Sequence, residues 1–162
     1  MDYIQRAFTQ WQAIHPERDI DTILTTGRVL RIASFLQAAS EDAVGRYGLS
    51  RGEYDMLSAI RRSGKNCRAT ELSVLTKSSG AAITKRLDRL SKAGYLTRKV
   101  LPRDRRVVLV ELTDEGRALV DEMLPVVTGA ESVYLDGFTA NELETFKELL
   151  SKLLVNVDPE EY

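Results

Sequence analysis

Apolar residues recur at helical spacing along most of this chain. Ile4, Phe8 and Trp11 stand at i, i+4 and i+7, which predicts an amphipathic helix over 3–14. Start and stop signals predict further helices at about 19–47, 50–62, 70–75, 79–93 and 113–129, and one that opens at the capping box from Thr139 to Glu142. β-branched residues are concentrated in 97–101 and 107–112, which predicts two strands. The pattern therefore predicts a mainly α fold with a small β-hairpin.

The stretch from Ser79 to Thr113 has the most informative pattern. Ser79 is a suitable N-cap, and Gly94 stands where a helix end favours a positive φ. One side of the intervening helix is apolar, with Ile83, Leu87 and Leu90, and the other side carries Ala81, Lys85, Arg89 and Lys92. A hairpin follows, and its tip is basic. This order predicts a DNA-recognition helix at about 79–93 and a wing at about 97–112.

Charge separates this segment from the rest of the chain. Residues 77–106 contain ten Lys or Arg and two Asp, giving +8, whereas the whole chain is −1, so the remainder carries −9. Asp88 and Lys92 form the only i, i+4 pair of opposite charge on the recognition helix. A basic surface on an otherwise acidic protein is typical of one that binds a polyanion through one face. Double-stranded DNA is the predicted partner.

Composition limits the remaining functions. The 162 residues are 43% hydrophobic and 29% charged, which is typical of a single globular domain. No apolar run is long enough to span a bilayer and no signal peptide is recognisable, so we expect a cytoplasmic protein without a membrane partner. One cysteine and one histidine allow neither an internal disulfide nor a clustered metal site. Catalytic and cofactor motifs are absent, so we expect no enzyme activity and no cofactor.

The terminal helices carry more apolar surface than one chain needs. The final helix has Leu143, Phe146, Leu149, Leu150, Leu153 and Leu154 on a broad face. The N-terminal helix is too short to be stable alone and must dock its own stripe. Large apolar faces on small domains favour association, so we expect a homodimer. Residues 1–47 and 113–162 are the predicted dimerisation helices, and 50–112 the predicted winged helix-turn-helix, all within a single domain.

The segment from Leu72 to Leu119 resembles the winged helix-turn-helix of the multiple-antibiotic-resistance regulator (MarR) family. The Asp-x-Arg signature of that family and the Leu-Thr after it match Asp104, Arg106, Leu112 and Thr113. The resemblance implies a dimeric regulator that leaves DNA, or changes its grip, when a small molecule binds. The residues expected to contact DNA are Ser79, Thr84, Lys85, Arg89, Arg103, Arg105 and Arg106. The recognition helix would enter the major groove, and the wing arginines the minor groove.

The added N-terminal helix resembles that of the urate-responsive branch of the family. That branch pairs a tryptophan in this helix with an aspartate and an arginine on one later helix and an arginine on the first wing strand. The corresponding residues are Trp11, Asp55, Arg62 and Arg98. Guanidinium groups and an indole suit a planar anion such as urate, another purine or an aromatic acid. An equally open interpretation is that the charged residues form structural ion pairs and Trp11 is an interface anchor.

Two other functions stay open at this stage. Cys67 lies between Lys65 and Arg68, and neighbouring positive charge can lower a thiol pKa, so a redox-responsive regulator is one alternative. A DNA-binding or interaction module without any effector is the other.

Overall fold

The computed structural model describes residues 1–101 and 104–158, and side chains other than those of 101–106. Within this part of the chain there are seven α-helices and three strands. They are, in order, α1 (Tyr3–Ile14), α2 (Arg28–Gly45), α3 (Arg51–Ser63), β1 (Cys67–Arg68), α4 (Ala69–Leu75), α5 (Gly80–Lys92), β2 (Leu96–Leu101), β3 (Asp104–Leu112), α6 (Asp114–Ser132) and α7 (Ala140–Val157). The mainly helical fold predicted from the pattern is confirmed.

The core lies between α3, α4, α5, the sheet, the end of α2 and one side of α6. Met56, Leu57, Leu72, Leu90 and Val110 are all fully buried there. The sheet is antiparallel with strand order β1-β3-β2. The apolar stripe of α5 predicted from the sequence is confirmed, because its members Ile83, Leu87 and Leu90 all belong to this core. The helix-turn-helix and the wing therefore form one packed unit.

Local capping explains where the helices begin. Thr113 accepts a hydrogen bond from the amide of Gly116 at 3.0 Å and so starts α6 directly after β3. At the start of α7, the Glu142 carboxylate accepts from both the amide and the hydroxyl of Thr139, each at 2.8 Å. The hydrogen bonds from the amide and then the hydroxyl of Thr139 hold the pKa of the Glu142 carboxyl below its usual range. These caps are where the sequence pattern predicted them.

The predicted helix over 19–47 is wrong in its first third. A π-helical turn (Ile23–Gly27) precedes α2, which begins only at Arg28. Gly27 closes this turn against α1, where a Cβ would lie 3.3 Å from the side chain of Ile4. Arg28 then holds α1 in place through ion-paired hydrogen bonds to Asp2 at 3.0 and 3.1 Å. The irregular turn and the start of α2 therefore pack against α1, and the regular helix begins only at Arg28.

The predicted two-stranded hairpin is also corrected. Cys67 and Arg68 pair with Val110 and Leu109 of β3, so the described sheet has three strands instead of two. A strand of two residues is too short to produce an alternating pattern. In the short helix α4, Leu72 is buried, whereas Leu75, its last residue, is exposed.

Many large apolar side chains of the terminal elements are exposed. On α7 they include Leu149, Leu150 and Leu154, and none of the eighteen residues of this helix is buried. The first half of α2 is similar, with Leu30 and Phe35 exposed. No helix in the described part of the chain is long and apolar enough to cross a membrane. The exposed faces are therefore surfaces without a partner in the described part of the chain.

Candidate nucleic-acid interface

Helix α5 is fixed at both ends by the residues that the sequence indicated. The Ser79 hydroxyl accepts from the amide of Ala82 at 3.3 Å, and Gly94 ends the helix with φ of 82°. The amide of Tyr95 then donates to Leu90 at 3.0 Å, which turns the chain into β2. Because Ile83, Leu87 and Leu90 are buried, the opposite side of α5 has to face solvent.

That opposite side forms what we call the outer stripe of α5, namely Ala81, Lys85, Asp88 and Lys92. Their spacing of three and four residues places them on one line of the helix surface, and together with Thr84 and Arg89 they line a shallow open groove. Thr84 donates its hydroxyl proton to the carbonyl of Gly80 at 3.0 Å, so its lone pairs and methyl group point outward. The stripe offers cations and small side chains, as a surface that enters a DNA groove requires.

Arg89 is on the flank of this surface and has a structural role. Its Nη1 donates to both carboxylate oxygens of Glu53, at 3.0 and 2.9 Å, and its Nη2 donates to the carbonyl of Gly48 at 2.8 Å. The Glu53 side chain is 3% exposed, whereas that of Arg89 is 59% exposed. Glu53 also accepts from the amide and hydroxyl of Ser50, each at 2.8 Å. Arg89 therefore orients α5 against the start of α3.

Arg86 makes a second link between the same two helices. Its Nη1 donates to the hydroxyl of Ser78 at 2.7 Å. Its guanidinium lies so close to Gly52 of α3 that a side chain at position 52 would force Arg86 to move. Neither Glu53 nor Gly52 is among the residues that the sequence pattern assigns to the interface. The signal for Glu53 was its place in the capping box, since a carboxylate there can serve a second cation; nothing in the sequence pointed to Gly52.

The wing is joined to the recognition helix by an ion pair. Nη1 of Arg98 in β2 lies 2.6 Å from Oδ1 of Asp88 in α5, and the two side chains are 34% and 51% exposed. The sequence pattern paired Asp88 with Lys92, but the structure pairs it with Arg98. Among the predicted wing contacts, Arg103 lies outside the described residues. Arg105 and Arg106 belong to β3 by their backbone, and their side chains lie outside the described part as well.

The four predicted effector residues have separate partners. Trp11 is 51% exposed and stacks on His15 with ring centroids 6.0 Å apart. Asp55 pairs with Arg51 at 2.8 Å, Arg62 donates to the carbonyl of Ser58 at 3.3 Å, and Arg98 pairs with Asp88. Within the described residues of one chain, no hydrogen bond, ion pair or ring contact joins any two of the four. Arg51 was not foreseen, and it also contacts Ser40 of α2 and Glu131 of α6.

The thiol of Cys67 is inaccessible in this conformation. The residue is 1% exposed, and its Sγ donates to the hydroxyl of Ser63 at 3.1 Å. Redox-sensing thiols are ordinarily accessible to their oxidant, so this burial counts against the redox alternative. No cluster of His, Cys, Asp or Glu suited to a metal occurs among the described residues.

A buried helix-turn-helix, an outward basic stripe and an adjoining hairpin define a DNA-binding protein of the winged-helix class. Residues 47–107 match the model of the MarR family. The transcriptional regulator PecS of Dickeya dadantii is 30% identical over 146 residues, covering 89% of this chain and 88% of PecS. The chain therefore belongs to the MarR family. Since members of this family regulate transcription, it is a DNA-binding transcriptional regulator and not an enzyme.

Solved structures agree with this assignment. A cysteine-to-serine mutant of MarR from E. coli, complexed with operator DNA, has a TM-score of 0.70 at 26% identity, covering 85% of this chain and 99% of that one. BpsR of Bordetella bronchiseptica has a TM-score of 0.68 at 26% identity, covering 80% of this chain and 91% of that one. The structure of BpsR concerns the regulation of its DNA binding by 6-hydroxynicotinic acid.

Proposed function

We propose that this protein is a homodimeric repressor that binds a pseudo-palindromic operator and releases it when a small planar anion binds. The observation that carries the proposal is the outer stripe of α5, an exposed surface with Lys85 and Lys92, in a segment of charge +8. Each recognition helix would enter the major groove, with half-sites about one helical turn apart.

The contacts on DNA divide by chemistry. Thr84 can accept from a base edge or touch a thymine methyl, and Lys85 can reach a base or a phosphate. Ser79 accepts from Ala82, so its hydroxyl proton stays available for a phosphate oxygen. Arg103, Arg105 and Arg106 supply the wing contact in the minor groove. Arg89 contributes through its exposed edge while Glu53 fixes its position.

The terminal helices supply the dimer. The exposed leucines of α7 and the exposed side chains of α1 and α2 form apolar surface that a second copy would bury. Two DNA-binding units linked in one dimer increase affinity, because the second unit binds at a high effective concentration once the first is bound. This explains why a small DNA-binding unit carries so much additional helix.

The effector site that we propose lies where Trp11, Asp55, Arg62 and Arg98 can converge in the dimer. Urate, another purine or an aromatic acid fits because the arginines donate to oxyanions and the indole packs on a flat ring. Support comes from BpsR, whose regulator is an aromatic acid, 6-hydroxynicotinic acid. Arg51 pairs with Asp55 and Asp88 pairs with Arg98, so the effector has to compete with both ion pairs.

Binding to DNA can be tested first without any effector. A duplex is selected from a random pool, and anisotropy titrations are run at several salt concentrations with a scrambled duplex as control. Lys85→Ala and Arg106→Ala should each weaken binding and reduce the slope of log K against log salt by about one. Unchanged slopes in both variants would refute the assignment of this face.

Release by an effector needs its own variants. Urate, related purines and 6-hydroxynicotinate are titrated into the protein–duplex complex of the parent, Trp11→Phe and Arg62→Ala. We expect the parent to release the duplex, and both variants to bind it normally but to resist release. A parent that keeps its duplex with every compound would support the ligand-independent DNA-binding module instead.

A further inference from the structure

Asp88 is an unexpected residue on a surface that binds DNA. It belongs to the outer stripe of α5, about one turn from both Lys85 and Lys92 and away from the buried side of the helix. About half of its side chain is exposed. A carboxylate facing phosphates weakens binding through like-charge repulsion unless a cation cancels it.

The cation beside Asp88 comes from the wing. Side chains alternate along a strand, so Arg98 shares a face of β2 with buried Leu96, and that face is turned toward α5. Lys99 belongs to the opposite face. Arg98 pairs with buried Val110 of β3, so the register of the sheet places Arg98 on this face. There it lies 2.6 Å from Asp88.

We propose that Arg98 is a positioning residue. Its ion pair with Asp88 compensates the negative charge of this carboxylate, so that the outer stripe of α5 can bind DNA. The proposal rests on the DNA interface described above and extends it to regulation. An anion that binds the Arg98 guanidinium breaks this ion pair. The negative charge of Asp88 then faces the phosphates of DNA without the cation of the wing. DNA is then released through a change in charge on the recognition helix itself, and α5 does not have to move.

The test is a double-mutant cycle on the selected duplex without effector, in Arg98→Ala, Asp88→Asn and the double variant. Arg98→Ala should weaken binding about 10-fold, because the exposed carboxylate repels phosphate. Asp88→Asn should bind at least as tightly as the parent. The double variant should return to within about twofold of Asp88→Asn. Arg98→Lys, which keeps the charge, should stay close to the parent and covers the case in which Arg98→Ala folds poorly.

Lys99→Ala is the matched control, since Lys99 neighbours Arg98 but belongs to the other face of β2. Any loss of affinity in Lys99→Ala should not be restored by Asp88→Asn. A double variant as weak as Arg98→Ala would show that Arg98 contacts DNA directly, and would overturn the proposal. Weakening by Asp88→Asn alone, confined to duplexes with one particular base, would mean that Asp88 reads that base, and would also overturn it.

The regulatory half is tested with urate and 6-hydroxynicotinate. The parent should release the duplex, and Asp88→Asn should keep it although the compound still binds, as followed by tryptophan fluorescence. Equal release from both proteins would refute control through Asp88. If neither compound releases the duplex from the parent, the proposed effector function is refuted. The double-mutant cycle without effector then still tests the role of Arg98.

Discussion

The winged-helix region and the terminal helices differ in where their apolar side chains are buried. Six of the thirteen residues of α3 are buried within the chain, and the stripe of α5 is buried with them. In contrast, α1 buries only Phe8, and α7 buries none of its residues. Both regions have well-capped helices. The difference therefore lies in tertiary packing and not in helix formation.

This contrast indicates how the protein is assembled. A region that completes its core within one chain can present polar side chains to a ligand, as α5 presents its outer stripe. A region whose helices leave leucines exposed depends on a second molecule for most of its burial. We therefore expect substitutions on the exposed apolar faces of α1 and α7 to act through association, and substitutions in the winged-helix region to act through folding or DNA contact.

The largest effect should come from charge on the apolar face of α7. Leu150→Asp places a carboxylate on the surface that we assign to the dimer, so we expect a monomer in sedimentation and operator affinity lowered at least about 100-fold. Lys152→Asp is the control, because Lys152 already places a charge on this helix. A stable dimer in Leu150→Asp, or a monomer in the parent, would show that the dimer surface lies elsewhere.

The junction between the two regions should be almost as sensitive. Gly116 is buried in the first turn of α6, and a Cβ there would overlap the carbonyl of Tyr95, which accepts from the amide of Thr113. Neither backbone segment can yield easily, so Gly116→Ala should lower the free energy of unfolding by about 3 kcal/mol. Gly45→Ala is the control, since a Cβ there meets nothing within 4 Å. Chemical denaturation that gives equal stabilities for both variants would contradict this account.

Within the winged-helix region, Arg89 and Lys85 should separate folding from DNA contact. Arg89→Ala leaves the buried Glu53 without its cation and should cost about 2 kcal/mol of stability. Adding Glu53→Gln should restore part of this loss, because the uncompensated charge is then gone. Lys85→Ala should leave the unfolding midpoint unchanged while weakening DNA binding. A fully stable Arg89→Ala with weakened binding would make Arg89 a plain DNA contact.

Periodicity and capping sufficed to predict most of the fold. The helix from Ser79 to Gly94 was predictable because cap, apolar stripe and stop signal all agree, and the same holds for the helices opened at Ser50, Thr113 and Thr139. The strand at Cys67 and the irregular turn before Arg28 were not predictable. The strand exists only by pairing with β3, which is distant in sequence, and the turn packs closely against Ile4 of α1.

The candidate site shows the same limit. The exposed cations of α5 follow from helical spacing, so Lys85 and Lys92 could be identified from the sequence. The partners of Arg89 and Arg98 could not, because Glu53 lies 36 residues from Arg89 and Asp88 meets Arg98 only across the turn at Gly94. Long side chains choose among several neighbours, and that choice is made by tertiary packing. A basic residue in a helical pattern is therefore only a candidate DNA contact. Its partner in the folded chain determines whether it contacts DNA or stabilises the fold.

The smallest effect concerns the exposed ion pair that joins α3 to α6. Arg61 donates through Nε and Nη2 to the two carboxylate oxygens of Asp121, both at 2.9 Å, and these hydrogen bonds hold the pKa of Asp121 below its usual value. A lowered pKa in the folded state means that the pair stabilises the protein above the pKa of a free aspartate. That contribution disappears as pH falls through the folded-state pKa. Asp121→Asn should therefore be slightly less stable than the parent at neutral pH, and the difference should vanish in acid. Denaturation curves for both proteins across this range test the prediction, and a difference independent of pH would mean that the charge of Asp121 does not link the two regions.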